Sequence, residues 1–134
     1  MANPKMTKQW FTYAARDLKA AKLMMTHGAQ FKNEIAFHIQ QSIEKALKGF
    51  LVFHEQRPPK THKLDELADL AKPIDSTLSP LFRGAKRISK YAVSYRYPNE
   101  EEKPILFSKV KADLAKATKI YDRLLKEVTS LKSE

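Results

Sequence analysis

The chain has 134 residues, 43% of them hydrophobic, which fits one folded domain over residues 1–134 and argues against intrinsic disorder. Its 25 Lys and Arg against 15 Asp and Glu give a net charge of +10, which fits either a polyanion or acidic protein as partner or a generally lysine-rich, soluble surface. The absence of cysteine excludes disulfides and thiolate metal sites, and the three glycines favour helices over sheets. No apolar run is long enough to span a membrane, and the N-terminus lacks the apolar core of a signal peptide, so we expect a cytoplasmic protein without membrane contact.

A first helix is predicted from Asn3 to about residue 26, with Asn3 or Thr7 as its N-cap. Asp17 lies in the middle of its apolar stripe, which consists of Trp10, Ala14, Ala21, Met24 and Met25. A buried carboxylate is costly unless it is paired or hydrogen-bonded. We therefore expect Asp17 to find a cation or donor elsewhere: His38, Lys45 or an arginine further along the chain. A clamp between helices is favoured over a catalytic role.

The second predicted helix, residues 33–54, is the central element of the chain. Apolar residues recur along it at helical spacing: Ile35, Ile39, Ile43, Ala46, Phe50 and Phe53. Further apolar residues on its other faces indicate that neighbouring helices cover several of its sides. Beside the main stripe runs a polar band formed by His38, Gln41, Ser42, Lys45 and Gly49. We expect function at this band, and close packing of another backbone at Gly49 because glycine is otherwise costly inside a helix.

A double proline separates this helix from a short one, residues 61–71, with Thr61 as expected cap. A fourth helix is predicted from Ser79. Its inward residues are Phe82, Ala85, Ile88 and Ala92, and its outer residues are Arg83, Lys86, Arg87 and Lys90.

No acid lies between Asp75 and Glu100, although this segment carries five basic residues, ending with Arg96. Tyr91, Tyr95 and Tyr97 are interleaved with the cations. This mixture suits RNA, because cations meet phosphates and rings stack on bases. The alternative is a solvated face whose cations favour a helix C-terminus.

A last helix is predicted from Pro104 to about Leu131. Its apolar residues alternate steps of four and three: Val110, Leu114, Ala117, Tyr121, Leu124, Val128 and Leu131. Such a seam forms a bundle core or a dimer contact. The fold class is therefore all-α.

The histidines His27, His38, His54 and His62 are not spaced to form a metal site on one helix, and no metal or cofactor is predicted. The chain has neither a phosphate-binding glycine loop nor a nucleophile elbow. His38 by itself is more often a hydrogen-bonded helix residue than a general base.

Four segments resemble the HEPN family of small helical bundles (higher eukaryote and prokaryote nucleotide-binding domains). These are Ala-Ala-Arg-Asp-Leu at 14–18, the string from Phe37 to Lys48, Thr-His-Lys-Leu at 61–64 and Arg-Tyr-Pro at 96–98. The resemblance implies an up-and-down bundle of four main helices plus a short one, commonly a homodimer. It also implies either a metal-independent RNase toxin paired with a small nucleotidyltransferase, or a non-catalytic RNA- or nucleotide-binding domain.

The RNase motif of the family is an arginine followed four to six residues later by a histidine. Arg83, Arg87 and Arg96 are present, but no histidine follows His62. The motif is thus incomplete, and the missing proton-transfer group is typically worth about 10²–10⁴-fold in rate.

The leading hypothesis is a dimeric binding protein that works with a nucleotidyltransferase and takes up RNA, nucleotide or an acidic partner. Its predicted binding residues are Asp17, His38, Gln41, Lys45, Arg83, Arg87, Lys90, Tyr95 and Arg96. Arg87 and Arg96 would contact phosphate, and Asp17 would hold a cation in place. The alternative is a weak RNase that uses Arg87 or Arg96 with His38 or a tyrosine.

Overall fold

The structure is a computed structural model that describes residues 3–93, 98 and 103–132, the side chains of the last two excepted. These residues form helices and turns without any strand, which confirms the all-α prediction. The α-helices are α1 (Pro4–Met25), α2 (Lys32–Phe53), α3 (Leu64–Ala71), α4 (Ala85–Ser89) and α5 (Phe107–Lys132). Short 3₁₀ helices lie at Ala29–Phe31, Ser76–Phe82 and Lys90–Ala92.

Helix α2 is the core of the bundle, because α1, α3, α4 and α5 all pack against it. Its predicted apolar stripe is confirmed for Ile35, Ile39, Ile43, Ala46 and Phe50, which are at most 1% exposed, whereas Phe53 at the end of the stripe is only half-buried. Leu47 and Leu51, on other faces, are also fully buried. When neighbouring helices cover a helix on several sides, its buried polar side chains need hydrogen-bond partners.

Asn3 is the N-cap of α1. Its side-chain oxygen accepts a hydrogen bond from the Met6 backbone amide at 3.0 Å, and the Thr7 hydroxyl donates to the Asn3 carbonyl at 2.9 Å. The helix buries Phe11 and Leu18 in the core together with the predicted Ala14 and Ala21, whereas Trp10 is only half-buried. Asp17 is buried among them at 8% exposure, as its position in the stripe predicts.

Gly49 lies where α1 crosses α2. A Cβ atom at this position would meet Trp10 Cβ and Phe11 Cε2 at 2.9 Å each. The predicted close approach at Gly49 is therefore confirmed, and the neighbour is the Trp10–Phe11 step of α1.

The segment before α4 differs from the prediction. A continuous helix from Ser79 is wrong, because Gly84 adopts a left-handed conformation (φ 82°) that no right-handed helix contains. The chain instead runs through the 3₁₀ helix Ser76–Phe82, turns at Gly84 and then forms α4. The inward residues were nevertheless predicted correctly: Phe82, Ala85, Ile88 and Ala92 are all buried.

Helix α5 begins at Phe107, slightly later than predicted, and closes the bundle against α2. The sequence allowed the apolar seam of α5 to form either a bundle core or a dimer contact. In the structure it packs into the core of this chain, where Val110, Leu114, Ala117, Leu124 and Val128 are buried. Tyr121 is half-buried, and the Leu131 side chain lies outside the described residues. The N-cap of α3 is Lys63 rather than the predicted Thr61, and the Leu64 amide at the start of this helix donates to Ser89 Oγ at 2.7 Å.

Candidate binding site along helix α2

Asp17 joins α1 to two residues of the polar band. Lys45 Nζ donates to Asp17 Oδ2 at 2.7 Å, and His38 Nδ1 donates to Asp17 Oδ1 at 2.9 Å. Burial raises the pKa of Asp17, but hydrogen bonds from His38 and Lys45 outweigh it, so the pKa lies below its usual value. The carboxylate is therefore charged at neutral pH. The predicted partners are confirmed, and they fix both side chains at the α1–α2 boundary.

An exposed aromatic ring lies next to this clamp. Tyr13 is 50% exposed, Arg16 Cζ lies 5.3 Å from its ring centroid, and Lys45 Nζ lies 6.0 Å from it. At such distances a cation is attracted to the negative face of the ring. Tyr13 and Arg16 also line a shallow cavity of about 200 Å³ together with Lys5 and Gln9. One helix face thus presents a flat ring beside several cations.

The same polar band continues into a second, more deeply buried cluster. Glu44, whose side chain is 6% exposed, accepts hydrogen bonds from Gln40 at 3.0 Å, Lys48 at 3.0 Å and His62 at 2.8 Å. Gln40 also donates to the His62 carbonyl at 2.9 Å. Burial raises the pKa of Glu44, but the hydrogen bonds from His62, Gln40 and Lys48 lower it further than burial raises it. This cluster ties the loop before α3 to α2.

Gln41 lies between the two clusters: its amide donates to Gln40 Oε1 at 2.7 Å, and it is one turn from both His38 and Lys45 on α2. Lys48 Nζ lies 5.7 Å from the Trp10 ring centroid, which brings α1 to this cluster as well. Ser42 donates inward to the Ile39 carbonyl at 2.7 Å and is buried. The band on α2 is thus a continuous polar strip, of which His38, Gln41 and Lys45 remain partly exposed.

Arg87 does not extend outward as predicted. Its guanidinium donates to both oxygens of Asp113 on α5, at 2.8 and 2.7 Å, and to the Tyr91 hydroxyl at 3.0 Å. Asp113 is 3% exposed, and hydrogen bonding to it raises the pKa of Arg87. Burial and the neighbouring Asp113 also raise the pKa of Tyr91, so the phenolate that could accept a proton is even less populated at neutral pH. Arg87 therefore fastens α4 to α5.

The remaining predicted residues fall into two groups. Arg83, Lys86 and Lys90 are exposed, as predicted. The Arg83 carbonyl accepts a hydrogen bond from Lys116 Nζ on α5. Tyr95 and Arg96 lie outside the described residues, so their part in the site stays a prediction.

Sequence reasoning missed several residues of the site, although signals for some of them were present. Gln40, Glu44 and Lys48 recur every four residues on α2, next to fully apolar positions, which indicates a polar row on one face of the helix. Asp113 interrupts the apolar seam of α5 in the same way that Asp17 interrupts that of α1. Asp17 is also the only acid before Glu34, so the exposed face of α1 carries Lys5, Lys8, Arg16, Lys19 and Lys22 without a carboxylate.

The part of the chain that the structure describes contains no group of three or more His, Asp or Glu residues able to hold a metal ion. Nor does any of its helices combine the length and apolarity that a bilayer crossing requires. What these residues do form is a helical bundle with a hydrogen-bonded polar strip along its central helix.

The model of the HEPN domain family matches residues 7–131 of this chain. The chain belongs to the HEPN domain family. No curated protein and no solved structure matches it significantly. The matched range contains both polar clusters of α2.

Proposed function

We propose that this HEPN domain binds single-stranded RNA at the boundary of α1 and α2, without cleaving it. The observation that carries this proposal is the half-exposed Tyr13 ring, which has Arg16 Cζ 5.3 Å and Lys45 Nζ 6.0 Å from its centroid. A base stacks on the free area of such a ring, while the two cations meet the flanking phosphates. The chain's net charge of +10 favours the same class of ligand.

The clamp positions Lys45 for this role. Asp17 accepts from Lys45 Nζ, which leaves two further N–H donors on the same ammonium group. Arg16 is exposed, and among the described residues no carboxylate lies within ion-pair distance of it. Arg16 therefore supplies an uncompensated charge, whereas Lys45 supplies directed hydrogen bonds. His38 and Gln41 would add donors at the same edge of α2.

The contacts of the Arg87 side chain argue against a catalytic role. A guanidinium held by both oxygens of a buried carboxylate is a structural fastening, and Tyr91 shares that carboxylate at 2.7 Å. With no histidine after His62, the arginine–histidine pattern of the family's RNases is incomplete as well. The sequence alone predicts that Arg87 contacts phosphate. Because Arg87 is bound to Asp113, we assign the phosphate contact to Arg16 instead.

A weak RNase remains the second candidate because of one observation. His38 Nδ1 is bonded to Asp17, which fixes the ring and leaves Nε2 for proton transfer. In that case Arg96 would be the partner arginine. Labelled RNA incubated with the protein in EDTA distinguishes the two: cleavage that disappears in both His38→Ala and Arg96→Ala establishes the enzyme, and intact RNA supports binding alone.

The binding proposal is tested by a salt titration with a fluorescent single-stranded RNA of twelve nucleotides. With two to three cations at phosphates, log affinity should fall against log salt with a slope of about −2. Lys45→Gln should make that slope shallower by about 0.7, whereas Lys60→Gln, an exposed loop position, should leave it unchanged. A slope near zero in the wild-type protein would exclude RNA as the ligand.

The family also leads us to propose a homodimer in the cytoplasm that works with a small nucleotidyltransferase, as half of a toxin–antitoxin-type pair. Sedimentation equilibrium tests the homodimer directly. Co-expression with a nucleotidyltransferase encoded beside it, followed by gel filtration of the complex at two salt concentrations, tests the partner. A monomer that elutes alone under both conditions would overturn this part of the proposal.

A further inference from the structure

A long apolar groove lies on the bundle, between α1 and α5. Its volume is about 620 Å³, and it is distinct from the RNA site because Tyr13 and Lys45 do not line it. Its floor consists of Phe11, Ala15, Phe53, Tyr121, Leu125 and Val128. The volume lies within the range of protein ligand sites, and the floor is almost entirely carbon. Of the residues used in the binding proposal above, Arg16 alone lines this surface.

The groove follows most of α1. Its lining runs from Pro4 to Lys19, fifteen residues further along the helix, which is about 22 Å at 1.5 Å per residue. A length of four helical turns suits an occupant with apolar side chains repeated along one face. An amphipathic helix laid into the groove would place anchors at positions i, i+3 or i+4, and i+7 over that floor.

The charges at the rim limit the choice of occupant. Lys8, Arg16 and Lys19 line the groove, and none of the described residues that line it is Asp or Glu. A second copy of the chain placed over the groove by a two-fold axis would bring these cations towards their own counterparts, which disfavours self-association there. A helix with acidic residues flanking its apolar face complements both the floor and the rim.

We propose that the α1–α5 groove binds an acidic amphipathic helix of a partner protein. The apolar floor supplies the area that is removed from water, and the three rim cations select partners by charge and set the orientation of the docked helix. The groove and the shallow cavity beside Tyr13 share Lys8, Thr12 and Arg16 at their common edge, but neither Tyr13 nor Lys45 lines the groove, so this inference does not depend on the stacking site.

The test uses a fluorescein-labelled helical peptide of sixteen residues, with leucines at i, i+4, i+7 and i+11 and glutamates on the flanks. We expect it to bind the full-length protein in fluorescence anisotropy at micromolar concentration. A peptide with lysines in place of the glutamates should bind at least tenfold more weakly. A scrambled peptide of the same composition, which has no apolar face, should not bind measurably.

Variants of the protein locate the site. Leu125→Asp, in the floor, and Thr12→Glu, an exposed position in the lining, should each weaken peptide binding at least tenfold, whereas Leu106→Asp, 67% exposed and outside the groove, should not. Thr12→Glu keeps the test valid if Leu125→Asp fails to fold by circular dichroism. Lys8→Glu with Lys19→Glu should weaken binding, and Lys60→Glu with Lys109→Glu should not.

Three results would overturn the proposal. The first is equal binding of the scrambled and amphipathic acidic peptides, since the attraction would then be charge alone. The second is unchanged affinity in both groove variants. The third is a wild-type dimer that Leu125→Asp converts to monomer, because the groove would then be occupied by a second copy. RNA affinity of Leu125→Asp should remain as in the wild type, so failure here and failure of the RNA proposal are separable.

Discussion

Arg87 and Asp113 lie 26 residues apart and are joined by two hydrogen bonds, from Nη1 to Oδ2 at 2.8 Å and from Nη2 to Oδ1 at 2.7 Å. Tyr91 Oη donates to the same Oδ2 at 2.7 Å, and the Asp113 side chain is 4% exposed. Two parallel bonds between a guanidinium and a carboxylate give directional as well as electrostatic stabilisation. They hold the five-residue α4, which is too short to be stable by itself, onto α5.

The first prediction concerns this fastening. Asp113→Ala removes both acceptors of Arg87 and leaves a partly buried cation without its counter-ion, which costs roughly 3 kcal/mol of the free energy of unfolding. Urea denaturation monitored by circular dichroism measures this loss. Asp122→Ala, on the exposed face of the same helix, should change stability by less than about 0.5 kcal/mol. Equal effects of the two substitutions would show that the pair does not stabilise the fold.

The second prediction concerns Gly49. Alanine normally stabilises a helix interior by about 1 kcal/mol over glycine, but here its Cβ would lie 2.9 Å from Trp10 Cβ and from Phe11 Cε2. Because α1 must shift to relieve this contact, we expect Gly49→Ala to destabilise the protein by about 1–3 kcal/mol.

The Gly49→Ala effect should depend on Phe11. In a double-mutant cycle, Phe11→Leu frees space beside position 49, so the alanine should cost less in that background than in the wild type. Strictly additive effects, or a more stable Gly49→Ala protein, would contradict the close packing of α1 on α2 at this point.

The third prediction is acid lability from two of the buried carboxylates, Asp17 and Glu44. The pKa values of Asp17 and Glu44 are both lowered in the folded protein, from unfolded values of about 4. The stability that they contribute is therefore fully present above about pH 5 and is lost as pH falls through the folded pKa values.

Asp17→Asn and Glu44→Gln should each reduce stability at pH 7, by about 1–3 kcal/mol, because charge-assisted hydrogen bonds are lost. Each should also flatten the fall of stability below pH 5, measured as the free energy of unfolding at half-unit pH steps. Asp122→Asn, an exposed acid, should leave the slope as in the wild type. A slope that neither buried-site variant changes would show that these carboxylates are not held in their charged form.

Periodicity predicted the bundle because each long helix has its own apolar stripe. The burial of Asp17, and its pairing with His38 or Lys45, followed from one rule about carboxylates in apolar surroundings. The Arg87–Asp113 pair could not be predicted in this way, because the arginine and the aspartate lie on different helices. The apolar spacing of one helix gives no information about ion pairs with another helix. The acid-free stretch after Asp75 was therefore interpreted as an exposed basic face, although one of its cations is neutralised from α5.

Tyr13 and Arg16 were missed for a different reason. Neither residue interrupts an apolar stripe, so the sequence pattern gives no sign that they lie beside Lys45, 29 to 32 positions further along the chain. Their proximity depends on how α1 crosses α2, and that crossing is set by Gly49 and the side chains over it. The fourth helix was predicted to begin too early, at Ser79. The left-handed conformation of Gly84, which separates the 3₁₀ helix from α4, does not follow from local apolar spacing.

The most direct test of the account is the affinity of single-stranded RNA for Tyr13→Leu compared with Tyr121→Leu, measured by anisotropy at constant salt. Tyr13→Leu removes the stacking surface but no charge, and base–aromatic stacking of about 1–3 kcal/mol predicts a loss of roughly 5- to 100-fold. Tyr121 lies in the α1–α5 groove, so its substitution should leave RNA affinity unchanged. Equal RNA affinities for Tyr13→Leu and the wild-type protein would contradict the proposed site at the α1–α2 boundary.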